Sequence, residues 1–224
     1  MMIGENLKNF RKELPKNVTL VAVSKTKSVS EIMEAYNAGQ RVFGENKIQE
    51  MEAKWQEMPK DIEWHMIGHV QSNKVKYMAP FVSLIHAVDS FKLLNEINKE
   101  AEKNNRTIQC LLQIKIAEED SKFGMDESDA AKLLSSEEIK KLQNVKIVGL
   151  MGMATFTEDE KQIAEEFQKL KKIYDQFRSM PFGCAQGDNF RILSMGMSGD
   201  YKIAIENGSN LVRVGSAIFG ERNY

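Results

Sequence analysis

The feature that most narrows what this chain can fold into is an alternation that runs from end to end. Short segments rich in β-branched and apolar residues are separated by longer segments whose apolar residues recur with helical period. After an amphipathic opening segment over residues 3–14, strands are predicted over 19–24, 41–44, 63–67, 82–87, 108–116, 145–151, 191–195 and 211–215. Between the first two, Val29, Ile32, Met33 and Tyr36 stand at i, i+3, i+4 and i+7, Ser28 and Glu31 form a capping box, and Gly39 closes the helix. The clearest apolar stripe is Ile163, Phe167, Leu170, Tyr174 and Phe177. Further helical segments fall over 47–57, 73–78, 90–104, 127–134 and 200–207, and an irregular stretch precedes the seventh strand at 180–189.

Eight β units, each followed by a crossover, make neighbouring strands parallel and fit either a closed (β/α)8 barrel or an open doubly wound sheet. No G-x-G-x-x-G follows the first strand, and 224 residues is slightly short of the roughly 250 usual for a barrel. No Pro/Gly/Ser-rich linker interrupts the chain. The expected fold is therefore α/β, a single (β/α)8 TIM barrel occupying residues 1–224 as one domain, with an extra N-terminal helix.

Charge and cysteine usage exclude other classes. With 31 basic against 32 acidic residues, no global field draws the chain to nucleic acid or a membrane surface. No apolar run approaches the roughly 20 residues of a membrane span and no leader is evident, so a cytoplasmic location is expected. Cys110 and Cys184 have no partner at metal or redox spacing, and no disulfide is expected. The thirteen methionines read as adaptable core filler, and the Lys169–Lys172 run as a solvated face.

In a barrel, chemistry belongs at the C-terminal ends of strands. Lys25 directly follows Val21-Ala22-Val23-Ser24. Desolvation at the barrel mouth would lower its pKa and make the amine a Schiff-base former; otherwise it is a solvated loop lysine like Lys27. Asn46, after Phe43-Gly44-Glu45, offers an amide to a ligand or caps the following helix. His65 and His69 are four apart, but on a strand entering a loop they do not form the helical zinc-binding face, and His86 adds nothing at ligand spacing. Two Gly/Ser loops, residues 194–200 and 213–217, follow strands seven and eight, the common phosphate site of barrels. Their glycines either admit an anion to backbone N–H groups or merely make turns.

A strand-one lysine and a phosphate cup together describe a site for a phosphorylated carbonyl compound: a sugar phosphate, or pyridoxal 5'-phosphate (PLP). Arg213, two residues before Gly215 on an extended strand, projects on the same face and can reach a ring nitrogen beside the cup, which favours PLP.

Five segments then carry a resemblance. Residues 21–25 (VAVSK), 43–46 (FGEN) with Gln49-Glu50, 65–74 (HMIGHVQSNK), 193–198 (LSMGMS) and 212–220 (VRVGSAIFG) resemble, in order and across the whole chain, the pyridoxal phosphate homeostasis proteins. The resemblance implies a barrel similar to the N-terminal domain of bacterial-type alanine racemases, with PLP held as an aldimine on Lys25. It further implies phosphate binding by Ser198, Gly215 and Ser216 with Ser194 in the same pocket, Asn46 and His65 along the ring, and Arg213 at the pyridine nitrogen. Gly199-Asp200 departs from relatives that carry two acidic residues here, without removing a phosphate donor.

An always-protonated guanidinium at the ring nitrogen disfavours the pyridinium and makes the ring a poor electron sink. The racemases add a second base from another domain, for which no residues are left over in this reading. The expected function is thus a non-catalytic PLP-binding protein of PLP (vitamin B6) homeostasis, with a racemase-like enzyme acting on amino acids as second reading and a cofactor-free Schiff-base aldolase as third. Expected partners are PLP itself and PLP-dependent apoenzymes or PLP-synthesising enzymes, with no nucleic acid or membrane, and a monomer is the default.

Overall fold

The structure is a computed structural model that describes residues 2–118, 123–180 and 189–220. Helix α1 (Ile3–Glu13) buries Ile3, Leu7 and Phe10 and precedes β1 (Thr19–Val23). There follow α2 (Val29–Asn37), β2 (Val42–Glu45), α3 (Ile48–Glu57), β3 (Glu63–Met66), α4 (Val75–Met78) and β4 (Leu84–Val88). The second half comprises α5 (Phe91–Lys103), β5 (Ile108–Gln113), α6 (Glu127–Ser135), β6 (Val145–Met151), α7 (Glu160–Ser179), β7 (Ile192–Ser194), α8 (Tyr201–Glu206), β8 (Leu211–Val214) and α9 (Ser216–Phe219).

The eight strands pair in sequence order, all parallel, and β8 returns to β1 through Thr19↔Leu211 to Ala22↔Val214, closing the barrel. This is the (β/α)8 architecture expected from the alternation, with α1 as the additional helix. The α2 capping box forms as read: the Ser28 side chain accepts from Glu31 N–H while the Glu31 carboxylate accepts from Ser28 N–H at 2.7 Å. Gly39 takes the positive φ, 93°, that follows the helix.

Period-2 alternation divides the burial. One set of strand residues, including Ala22, Phe43, Trp64, Ile85, Cys110 and Val212, packs outward beneath the helices in the main core. The other set, Val21, Leu84, Leu111, Val148, Met151 and Leu211, forms a separate cluster that fills the barrel. Where β6 meets β7, Gly149 is required: a Cβ there would stand 1.7 Å from the Ile192 carbonyl oxygen.

Some boundaries differ from the sequence reading. Strand five stops at Gln113, and Ile114 continues only as a single bridge to Met125. The four-residue α9 and a 3-10 turn at Ile139–Lys141 were not expected, because neither is long enough to display a period. Residues 181–188 of the irregular stretch, Cys184 among them, lie outside the described residues. Among the described residues no helix is long and apolar enough to cross a membrane.

Candidate functional site

The barrel-filling set of residues leads directly to the site. Counting by twos from Val21 reaches Lys25, from the partly buried Val42 reaches Asn46, from Ile192 reaches Ser194, and from Leu211 reaches Arg213 and Gly215. His65 shares this inward face, since it pairs in register with Gly44 and Leu84. At the C-terminal mouth the inward positions open into a cavity of about 710 Å3 whose lining includes Lys25, Asn46, Ser198, Arg213, Gly215 and Ser216. Six of the eight residues singled out from sequence therefore share one cavity. His65 and Ser194 are not in its lining; both are buried.

The loops after β7 and β8 interlock. The Ser198 hydroxyl oxygen accepts from the Gly215 backbone N–H at 3.3 Å, which leaves the hydroxyl its own proton to donate. Asp200 does not cap α8 with its side chain; its carboxylate instead accepts from the Met197 N–H at 2.5 Å, tightening the loop that carries Ser198. Helix α8 has only six residues, so the donors at this mouth are hydroxyls, amides and Arg213 more than a helix dipole. Asn46 is not the cap of α3 either, because Lys47 takes that position without a side-chain cap bond. Its backbone abuts Gly68, where any Cβ would stand 2.4 Å from the Asn46 carbonyl oxygen, so the loops after β2 and β3 pack without side-chain separation.

Below Arg213 lies a hydrogen-bonded file that the sequence reading did not assemble. The guanidinium donates to Ser194 Oγ at 2.5 Å and to the Gly152 carbonyl at 3.1 Å. Ser194 Oγ is 3.1 Å from His86 Nδ1, and His86 Nε2 is 3.1 Å from His65 Nδ1. The guanidinium only donates, and Ser194 Oγ accepts from it. The tautomers that also use the Ser194 proton within the file have Ser194 O–H donating to His86 Nδ1 and His86 Nε2–H donating to His65 Nδ1. Both imidazoles are neutral in this file. Burial holds His65 down to about 3, and burial, then the neighbouring His65 and Arg213, holds His86 well below the ordinary imidazole range. Burial lowers Arg213 to about 10 against a raising influence of Asp200, which leaves it protonated at neutral pH.

His86 stands at no ligand spacing from the other histidines. The available signal was a lone histidine between Leu84-Ile85 and Ala87-Val88, where a buried polar ring needs partners. His65 and His69 diverge: His69 is exposed, stacks on Phe123 at 4.3 Å between ring centroids and lies 3.4 Å from Asp89. Among the described residues no group of three His, Cys, Asp or Glu is placed to hold a metal. Burial pushes the Cys110 thiol up, away from nucleophilic character.

Comparison with known proteins bears on this geometry. The family model of the alanine racemase N-terminal domain matches residues 2–223. The chain is 40% identical over 215 residues to a pyridoxal phosphate homeostasis protein of Vibrio alginolyticus, covering 94% of this chain and 89% of the relative. It is 38% identical over 206 residues to the protein of that name from Aquifex aeolicus, covering 92% and 87%. Among solved structures it resembles PipY of Synechococcus elongatus at 34% identity, covering 97% of this chain and 100% of PipY. The TM-score is 0.90 for PipY without PLP and 0.86 for PipY with PLP bound.

Proposed function

The chain belongs to the pyridoxal phosphate homeostasis proteins, within the family of the alanine racemase N-terminal domain, and from that premise we propose that it binds PLP in the barrel-mouth cavity. On this reading it holds the cofactor covalently through Lys25 and keeps or supplies it without turning over a substrate of its own. The observation that carries the reading is the meeting, in one cavity, of an amine from the end of β1, two serine hydroxyls from the loops after β7 and β8, and a buried guanidinium.

The donor set fits the group. Ser198 and Ser216 offer hydroxyls to a phosphate, and Gly215 brings its backbone close because a side chain there would crowd the Val23 carbonyl at 3.2 Å. Asn46 supplies an amide at the cavity wall, while His65 and Ser194 act from beneath it, through the file that supports Arg213. When bound, PLP supplies an aldehyde carbon that condenses with an amine and a ring that withdraws electrons. Arg213 would limit that withdrawal: placed at the ring nitrogen it would donate a hydrogen bond and keep its proton, and so would not supply the pyridinium that best stabilises a carbanion. A donor of that kind weakens the ring as an electron sink and so favours retention over turnover. Its exchange partners on this reading are PLP-dependent apoenzymes or PLP-synthesising enzymes in the cytoplasm, and the working unit is a monomer.

Borohydride reduction of the PLP-loaded protein followed by peptide mapping tests the assignment. Label confined to Lys25, and absent from Lys25→Ala, is expected; label elsewhere would refute it. Incubation of the loaded protein with a panel of amino acids should give no Lys25-dependent α-proton exchange. Sustained exchange would favour the racemase-like reading instead.

A further inference from the structure

Outside the barrel wall, directly behind Lys25, three charged side chains converge where the helices cover the strands. Lys54 on α3 is buried and its ammonium donates to the Ser24 carbonyl at 2.8 Å, to Glu45 Oε1 at 2.8 Å and to Glu50 Oε1 at 2.6 Å. Glu50 Oε1 in turn accepts from the Thr26 backbone N–H at 2.6 Å, and Glu45 Oε1 accepts from the Ser24 hydroxyl at 2.6 Å. The Ser24 carbonyl belongs to the peptide group before the Lys25 α-carbon, and the Thr26 N–H to the peptide group after it. Each of the two peptide planes that orient Lys25 is thus gripped by a charged group, and the two gripping groups are ion-paired to each other.

The backbone they hold is not one the chain adopts unaided. Thr26 has φ 66°, a left-handed conformation that a β-branched residue rarely takes and that persists only where surrounding bonds determine it. Glu50 and Lys54 stand at i, i+4 on α3, so one helix face presents both grips at once. Glu45 completes the cluster from β2: Oε1 takes two donors while Oε2 is buried without a hydrogen-bond partner. Burial raises the Glu45 carboxyl above its ordinary range, against the lowering attraction of Lys54.

We propose that Lys54 and Glu50, backed by Glu45, are positioning residues that set the backbone of Lys25 so that its amine meets the aldehyde carbon of the cofactor. They act through the two flanking peptide groups. The proposal rests on Lys25 being the attachment point, and its test separates the two claims.

The probe is PLP itself, with borohydride trapping as the rate readout, applied to Glu50→Ala in two backgrounds. With Lys25 present, Glu50→Ala should slow trapping at Lys25 by about tenfold to a hundredfold, the range expected when a reacting group is displaced by around an ångström. In the Lys25→Ala background, the same substitution should leave the non-covalent dissociation constant of PLP unchanged, because the clamp serves only the lysine. Glu50→Gln, which keeps an acceptor for the Thr26 N–H, should recover part of the rate. Unaltered trapping by Glu50→Ala, or weakened PLP binding in both backgrounds, would overturn the proposal. Trapping of the unsubstituted protein at a residue other than Lys25 would instead overturn the function it rests on. Should Glu50→Ala lose its native far-UV circular dichroism, Lys54→Met combined with Glu45→Gln, a charge-neutral break of the same clamp, decides by the same criteria.

Discussion

Two cations stand on opposite sides of the same barrel wall and are supported in opposite ways. Inside, Arg213 rests on a hydroxyl and a carbonyl, with two neutral imidazoles behind the hydroxyl. Outside, Lys54 is bound to two carboxylates. A carboxylate hydrogen-bonded to Arg213 would satisfy its charge internally and leave little to offer an anion or a ring nitrogen in the cavity, whereas dipoles stabilise the charge without cancelling it. Lys54 donates to a backbone carbonyl and two carboxylates of the chain itself. Its task is to hold backbone, and there full neutralisation by Glu45 and Glu50 is an advantage. The difference teaches that support for a buried charge is chosen by where that charge has to be felt.

Substitutions on the two sides should break the contrast in measurable ways. The largest effect is expected outside: Lys54→Met alone strands Glu45 in a buried site and should cost about 3–5 kcal/mol in chemical denaturation, the usual penalty for removing one partner of a buried pair. Adding Glu45→Gln should restore most of it. A Lys54→Met protein as stable as the parent would mean that the pair carries little. Inside, His86→Phe removes a partner from both Ser194 and His65 and should cost about 1–3 kcal/mol for each group left unsatisfied, and it should weaken PLP binding by loosening Arg213. Loss of stability with unchanged PLP affinity would separate the file from the site.

The two sides should also respond to acid with opposite sign. His65 titrates near 3 when folded and near 6.5 when unfolded, so below about pH 6.5 the unfolded chain binds the extra proton and stability falls as pH drops from there toward 3. By pH 5 this single histidine should remove about 2 kcal/mol relative to pH 7, and His86 acts in the same direction. Glu45, raised by burial, does the reverse: the folded chain holds its proton more firmly, a contribution present at low pH and lost as pH rises through the raised value. Urea midpoints between pH 7 and 5 should fall for the parent and flatten for a His65→Gln/His86→Gln variant. An unchanged slope in that variant would show that the acid sensitivity lies elsewhere. The smallest effect belongs to Ser194→Ala, where His86 Nδ1 loses its partner but Arg213 keeps the Gly152 carbonyl; about 1–3 kcal/mol is expected by thermal or chemical unfolding.

What the sequence made legible was whatever depends on period. Alternation by twos carried Lys25, Asn46, Arg213 and Gly215 to the inner face, and the helical stripe of Ile163 to Phe177 became the buried side of α7. The capping box of Ser28 and Glu31 is local and was equally readable. The supports were not. Lys54 reads as an ordinary helix lysine, and Glu50 at i−4 as its surface partner; that both reach Ser24 and Thr26 across the layer is a tertiary fact without local pattern. His86 sits 21 residues from His65 and 108 from Ser194, and no spacing rule links them. Side chains facing a ligand share a strand end, which has a sequence signature; those holding them meet only after the sheet has closed.

That closure has a temporal side. Helix α1 is fastened at the seam opposite its own end of the chain: Asn6 donates to the Ile218 carbonyl, 212 residues away, beside the β1–β8 ladder. Contacts of such separation close the longest loops of the chain, and non-local pairings of this kind are the slow ones to form. The loop bearing Ser216 lies within this stretch, so a chain with an open seam would carry the lysine of strand one before it possesses the loop proposed to hold the phosphate. Competence to retain a cofactor would then arrive in one step with completion of the ring, and an unfinished chain would have little means of sequestering it.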